Sequence, residues 1–440
     1  MHSTYVLPPG PRTTPWQTLL LVNQTFHFFQ QCATRYGDPF TTTISGIKTV
    51  FTGQPEGIQQ IFNANPNLFD TITGSNVGLA VGEHSLLVIS GTQHNRERKL
   101  IMPLFHGTRL RTYGHAIQAI TVEYAGRWQS NQVLLVQQTT QAISLEVIIQ
   151  VVFGGRQPTQ VARLREVIVA FVKAFIPPII FFPLLRQEFG GFGPWSRFQV
   201  TLKTFNDLLE HEIAACRAEG CSERDDILSM LLAARDEDGQ PMTDEQIRDE
   251  IKTMLLAGYE TTASALAWAY YWIHCTPTIQ DKLRAELMPL GTMPDPEALT
   301  RLPYLKAVCQ ETLRMCPPVP FAIRLLKQTW TFGGYELPAG VGIGAAIGVT
   351  HFDPTIYPEP QTFRPERFLE QQYSPYEYLP FGGGTRRCLG AAFALYEMQI
   401  VLGTIMARHK LALVNRRPVT PSSLGFAISP KEKIKMVISS

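Results

Sequence analysis

"MTDEQIRDEIKTMLLAGYETTASALAWAYYWIHC", from Met242 to Cys275, is the stretch that most limits what this chain can become. Thr243 is a good N-cap, and Gln246 three residues on completes a capping box, so a helix is predicted from Asp244 to Cys275. At ~1.5 Å per residue it is on the order of 48 Å long. A helix of that length crosses the whole molecule, and its centre turns apolar around Met254 to Ala257. It reads as a core axle around which everything else packs.

The rest of the chain fits that picture. Helical patterns run through "WQTLLLVNQTFHFFQQCATRYG", the basic "GTQHNRERKLIMPLF" (stopped near Pro103), "FQVTLKTFNDLLEHEIAACRAEG" and "YLKAVCQETLRMC", the last ended by Pro317-Pro318. "PFTTTISGIKTVFTG" alternates as a strand pair should, and "TWTFGGYELPAGVGIGAAIG" is β-like before a proline-studded loop, "FDPTIYPEPQTFRPERF". The class is mainly α with a minor β lobe. At 440 residues length alone allows two domains or one large α-rich fold, but no linker, repeat or low-complexity tract divides the chain.

Composition excludes more than it assigns. Charged residues make up 17% and hydrophobic ones 45%, the balance of a soluble globular protein with a large core. With 39 basic against 37 acidic residues the net charge is +2, and nothing global points to nucleic acid. The seven cysteines are irregularly spaced with no Cys-x-x-Cys, a pattern that fits a reducing compartment and argues against a disulfide framework or a tetrahedral zinc site. The start lacks a signal peptide, and the most apolar run, Ile168 to Leu185, is broken by three prolines and Lys173, so no membrane anchor is expected.

Chemistry concentrates in "LPFGGGTRRCLGAAFALYEM", Leu379 to Met398. Cys388 could be a small buried hydrophobe, one ligand of a metal cluster or a nucleophile at a helix N-terminus. Phe381, Gly384, Arg386, Cys388 and Gly390 form Phe-x-x-Gly-x-Arg-x-Cys-x-Gly. The glycines permit close backbone approach to a flat ligand, and a helix starting near Gly390 would aim its dipole at the sulfur and favour a thiolate. A lone thiolate on a turn, beside an arginine able to bind a carboxylate, suits an axial haem ligand. The plain alternative is a glycine-rich turn with a buried cysteine.

With that motif, the sequence resembles the cytochrome P-450 superfamily of haem-thiolate monooxygenases over essentially its full length. The resemblance implies one haem domain spanning 1–440, with haem b between the long helix and the Cys388 loop. Three further pieces agree in order and spacing. "AGYETT" lies midway along the axle: Ala257 and Gly258 are read as leaving room above the iron on one face with Thr261, whose hydroxyl can bond the carbonyl four residues back. Glu260 is angularly displaced and feeds protons through water, making Glu260 and Thr261 the acid–alcohol pair of the family. Glu311 and Arg314 in "ETLR", with Arg367 in "RPERF", match the family's structural triad, which holds the loop presenting Cys388. His94, Arg98, Arg324 and Arg386 are candidates for holding the haem propionates, arginine because its fork binds carboxylate bidentately. His94 stands where many relatives have tryptophan, and a solvated helix-face histidine is an equal reading of it.

Substrate contacts follow by resemblance: Leu79, Val81, Leu86, Met254, Ala257, Thr261, Val319, Phe321 and the turn at Gly425-Phe426. Nearly all are apolar, which implies a lipophilic substrate of fatty-acid or terpenoid type. Since no flavin or iron–sulfur pattern follows the haem region, electrons are expected from a ferredoxin and its NAD(P)H-dependent reductase, with the enzyme a cytoplasmic monomer. Arg96, Lys99, Arg109, Arg111 and Arg387 are expected to make the cysteine side positive for an acidic donor. Other functions considered are a peroxide-driven peroxygenase, a non-catalytic haem sensor or carrier, and a nucleotide-binding oxidoreductase. The last is suggested by "GVGIG", Gly340 to Gly344, but Ile347 takes the place of the third glycine and no helix pattern opens there.

Overall fold

In the computed structural model the axle forms over Asp244–Cys275, with both halves of the capping box made: Thr243 Oγ1 accepts the Gln246 N–H at 3.2 Å, and Gln246 Oε1 accepts the Thr243 N–H at 2.8 Å. The structure describes residues 6–439 except 13–16, 18, 19, 22, 72–76, 176–178, 180–185, 189, 221–223 and 424–426. From Ile247 to Ile273 the axle is almost wholly buried, and it packs along Val136–Phe153, whose C-terminal half is apolar and mostly buried. Helices Pro303–Met315 and Ala391–Arg408 pack on other faces of the axle. One apolar core runs through these elements.

The β lobe is a five-stranded sheet in the order Phe40–Ile44, Ile47–Thr52, Gly342–Ala346, Phe321–Leu326, Phe69–Asp70. The first pair closes through Ser45 and Gly46, both at positive φ (49° and 84°), as a two-residue hairpin turn requires. Thr49 pairs in parallel with Gly342, and Arg324 antiparallel with Ile343, so strands nearly 300 residues apart meet in one sheet.

Two expectations change here. The "GVGIG" run lies in the strand Gly342–Ala346, where Gly342 admits Thr49 and Gly344 admits the Ala322 carbonyl, and a helix of five residues, Ile347–His351, does open after it. The glycines serve strand packing. Cys216, buried at the end of the helix Pro194–Glu219, is disulfide-bonded, a departure from the reducing pattern, while Cys32, Cys275, Cys309, Cys316 and Cys388 are free thiols. Among the described residues no helix is long and apolar enough to cross a membrane.

Candidate functional site

Close approach shapes the cysteine loop. The Cys388 N–H donates to the Phe381 carbonyl at 3.0 Å, folding the glycine run back on itself. A Cβ on Gly383 would sit 2.2 Å from the Phe62 ring, and one on Gly384 (φ 64°) would sit 2.4 Å from the Phe62 carbonyl and 3.2 Å from Arg324 Nη2. These two glycines therefore let the loop lie against Phe62 and Arg324. Phe62 carried no sequence signal, yet its ring also lies 5.1 Å from the Arg324 guanidinium.

The Cys388 side chain is exposed to solvent although much of the surrounding protein lies close to it. Burial pushes its pKa up, while a hydrogen bond from the Gly390 N–H and the charges of Arg98 and Arg387 pull it down. The helix start and cations act in the expected direction, but desolvation is the larger effect. Gly390 is the N-cap of Ala391–Arg408.

The four propionate candidates do come together. Arg386 donates from Nη1 to the Leu86 carbonyl at 2.7 Å and from Nη2 to the Ile89 carbonyl at 2.5 Å, and Arg324 donates from Nη2 to the Gly383 carbonyl at 3.0 Å. Burial and then the Arg386 charge lower Arg324 to about 10, and burial with the Arg98 charge lowers Arg386 to about 10 against the pull of Asp70. His94 is buried and lowered to about 4, by burial first and then by Arg386, Arg98 and Arg324. It is thus buried rather than solvated, and burial and the nearby guanidinium groups disfavour its protonation. Among the described residues, no carboxylate forms an ion pair with Arg98, Arg324 or Arg386. Crowded, half-desolvated cations beside an accessible thiol are a donor set completed by a dianionic macrocycle, and haem with its two propionates fits.

Midway along the axle the burial breaks. Between Ile247 and His274 Ala257 is the one exposed residue, with Thr261 half-exposed a turn later on the same face. The Thr261 hydroxyl donates to the Ala257 carbonyl, the back-bond that loosens a helix. Gly258 departs from expectation: a Cβ there would meet Ile148 Cδ1 at 3.0 Å. Its missing side chain faces the helix Val136–Phe153, because a residue one step on from Ala257 is turned about 100° round the axis. Glu260 lines a separate polar cavity of about 300 Å³ with Gln137, Gln141, Ser264 and Lys433.

Glu311, Arg314 and Arg367 form one cluster, each 2% exposed or less. Arg314 Nε donates to Glu311 Oε2 at 2.7 Å and Nη2 to Oε1 at 2.8 Å, Arg367 Nε donates to Oε1 at 3.1 Å, and the Arg364 N–H adds a fourth donor at 2.9 Å. The leftover guanidinium N–H groups reach the carbonyls of His351, Pro358 and Thr362. His351, also missed in the sequence, links this cluster onward to Leu379.

Among the proposed wall residues, Leu79 is half-buried, Val81, Leu86 and Met254 belong to the main core, and Val319 is 43% exposed. Phe321 is corrected. Its ring packs 5.7 Å from Phe29 and 5.9 Å from Phe51, on the strand face opposite Arg324, because side chains alternate along a strand. Ala322, on the Arg324 face, is the residue turned toward the cysteine loop, 3.7 Å from where a Gly382 Cβ would be. Gly425 and Phe426 lie outside the described residues.

The expected positive face is largely cancelled. Arg96 pairs with Asp236, Lys99 with Glu237 at 2.8 Å, Arg109 with Asp225, and Arg111 with Glu297 at 3.6 Å. The partners lie more than a hundred residues away in sequence, which is why counting local cations overstated the charge.

The comparisons with known proteins agree with this geometry. The family model described as Cytochrome P450 matches residues 8–437. Cytochrome P450 135B1 of Mycobacterium tuberculosis is 35% identical over 93% of this chain and 86% of its own length. Cytochrome P450 135A1 of the same organism is 33% identical over 91% and 88%. The solved structure of retinoic acid-bound cyanobacterial CYP120A1 superposes with a TM-score of 0.88 and 26% identity, covering 99% of this chain and 100% of that one.

Proposed function

The chain belongs to the cytochrome P450 family, as a haem-thiolate monooxygenase with haem b, and we propose that it oxidises a lipophilic, terpenoid-like substrate held over the centre of the axle. The observation that carries this is the exposure of Ala257 within an otherwise buried helix, with Thr261 beside it and apolar Leu79 and Val319 among the candidate walls. The bound retinoic acid of CYP120A1, an isoprenoid, supports the same substrate class.

Haem bound through Cys388 supplies the redox chemistry that activates dioxygen. Around it, Arg98, Arg324 and Arg386 hold the propionates by charge, and His94 donates as a neutral imidazole. The Thr261 hydroxyl, seated on the Ala257 carbonyl, manages proton delivery at the oxygen-binding face, and Glu260 draws protons from its polar cavity. Glu311, Arg314 and Arg367 hold the cysteine loop and take no part in the chemistry. Electrons come from a ferredoxin-type donor and NAD(P)H-dependent reductase, and the whole chain acts as one cytoplasmic haem domain. With its cations paired, docking is governed by contact more than by steering.

Titration with retinoic acid, other terpenoids and fatty acids tests this. A terpenoid is expected to shift the Soret band and to yield an oxygenated product when donor, reductase and NAD(P)H are added. A panel in which lipophilic compounds neither shift the band nor react would overturn the substrate class.

A further inference from the structure

Arg314 and His351 exchange two hydrogen bonds. Arg314 Nη1 donates to the His351 carbonyl at 2.7 Å, and His351 Nδ1 lies 2.9 Å from the Arg314 carbonyl. A carbonyl only accepts, so Nδ1 carries the proton. On the other side of the ring the Leu379 N–H, which only donates, meets Nε2 at 3.1 Å. The two partners fix a single neutral tautomer from opposite sides. The ring is fully buried, stacked on Tyr378 with centroids 5.8 Å apart and 14° between planes, and edge-on to Tyr357 at 6.1 Å. Burial and then the Arg314 charge lower its pKa to about 3, in keeping with a ring that stays neutral.

Leu379 opens the cysteine loop. Two residues on, the Phe381 carbonyl accepts the Cys388 N–H. A continuous path thus runs from Glu311 through Arg314 and the imidazole to the Leu379 N–H, and from there along three residues of backbone to the amide of Cys388. Among the described residues, no other side-chain hydrogen bond joins Glu311, Arg314 or Arg367 to the loop from Leu379 to Cys388.

We propose that His351 is a positioning residue: its imidazole, held in one tautomer, carries the order of the Glu311–Arg314–Arg367 cluster to the loop that presents Cys388. This rests on Cys388 being the haem ligand. A plain core histidine would fill the same volume without needing both nitrogens.

Two variants of the holoprotein cut the relay at different ends. His351→Asn places an amide N–H near the position of Nδ1 but is too short to reach Leu379. His351→Gln can offer its carbonyl to the Leu379 N–H but leaves the Arg314 carbonyl unmet. The readouts are hydrogen exchange of the segment 379–388 against that of Pro303–Met315, and the share of the reduced carbon-monoxide complex showing the red-shifted thiolate band. The Asn variant is expected to exchange at least about tenfold faster in 379–388 alone and to lose more than about half of the band. The Gln variant should keep both close to the unsubstituted protein. Equal behaviour of the two variants, whether both intact or both impaired, overturns the role.

Should either variant fail to fold, nitrogen NMR of histidine-labelled, carbon-monoxide-bound holoprotein decides without a substitution. A proton on Nδ1 and a slowly exchanging Leu379 amide support the relay, and a proton on Nε2 overturns it. If the unsubstituted protein itself lacks the thiolate band, the failure is that of Cys388 ligation, which the variants alone cannot produce.

Discussion

Glu311, Arg314 and Arg367 are all buried and bonded, whereas Ala257 is exposed and Thr261 half-exposed, its hydroxyl bonded back to its own helix. The first region takes four donors to one carboxylate and spends its remaining N–H groups on loop carbonyls. The second satisfies its hydroxyl within its own helix and leaves the rest to a ligand. Removing a partner in the first strands a buried charge, which costs stability. Removing one in the second leaves the fold intact and alters what happens above the haem.

The largest effect should follow Cys388→Ser, which removes the thiolate: the red-shifted band of the reduced carbon-monoxide complex should vanish, and an unchanged spectrum would place the ligand elsewhere. Glu311→Ala should come next, lowering stability by about 3–5 kcal/mol as broken buried pairs do and leaving little haem-loaded protein. Normal haem content and melting temperature in that variant would erase the contrast between the two regions. Thr261→Ala should leave the melting temperature within a few degrees while product per NAD(P)H falls several-fold, the balance appearing as peroxide or water. Full coupling would assign proton control to another group.

The smallest effect tests burial on the cysteine side without touching the ligand. Glu397, on the helix that Gly390 starts, is raised by burial to about 8 from an ordinary 4.5, with Ser144 partly offsetting this. Between those values the folded state holds a proton that the unfolded chain has released. The contribution is therefore full below about pH 4.5 and lost as pH rises through about 8. Glu397→Gln should flatten the fall in melting temperature across that window by a few degrees, and an equally steep fall would point to a different group.

How far the sequence revealed all this depended on separation along the chain. The axle and its capping box, the Glu311–Arg314 pair and the Cys388 turn are local patterns, and each forms where the residues say it should. Arg367 and the group of Arg98, Arg324 and Arg386 required the family resemblance, since no spacing links residue 98 to 324. Phe62 and His351 stayed hidden because each acts on a loop distant in sequence through a single contact. Gly258 and Phe321 were placed on the wrong faces for a simpler reason. One step along a helix or strand turns a side chain by about 100° or 180°, and residue type alone does not choose the face.

The sheet that joins Thr49 to Gly342 and places Arg324 beside Ile343 also sets a schedule for the newly made chain. His94 and Arg98 leave the ribosome early, but Arg324, Arg386 and Cys388 follow hundreds of residues later. At about 5–20 residues per second the wait between residues 98 and 388 is roughly 15–60 s. During it, the axle can dock on Val136–Phe153, which is already made, while the β lobe waits for its last strands and the axle face that receives Ala391–Arg408 stays open. Acquisition of the cofactor is therefore a late event in the birth of this protein, and the half-made chain must keep its apolar axle covered until then.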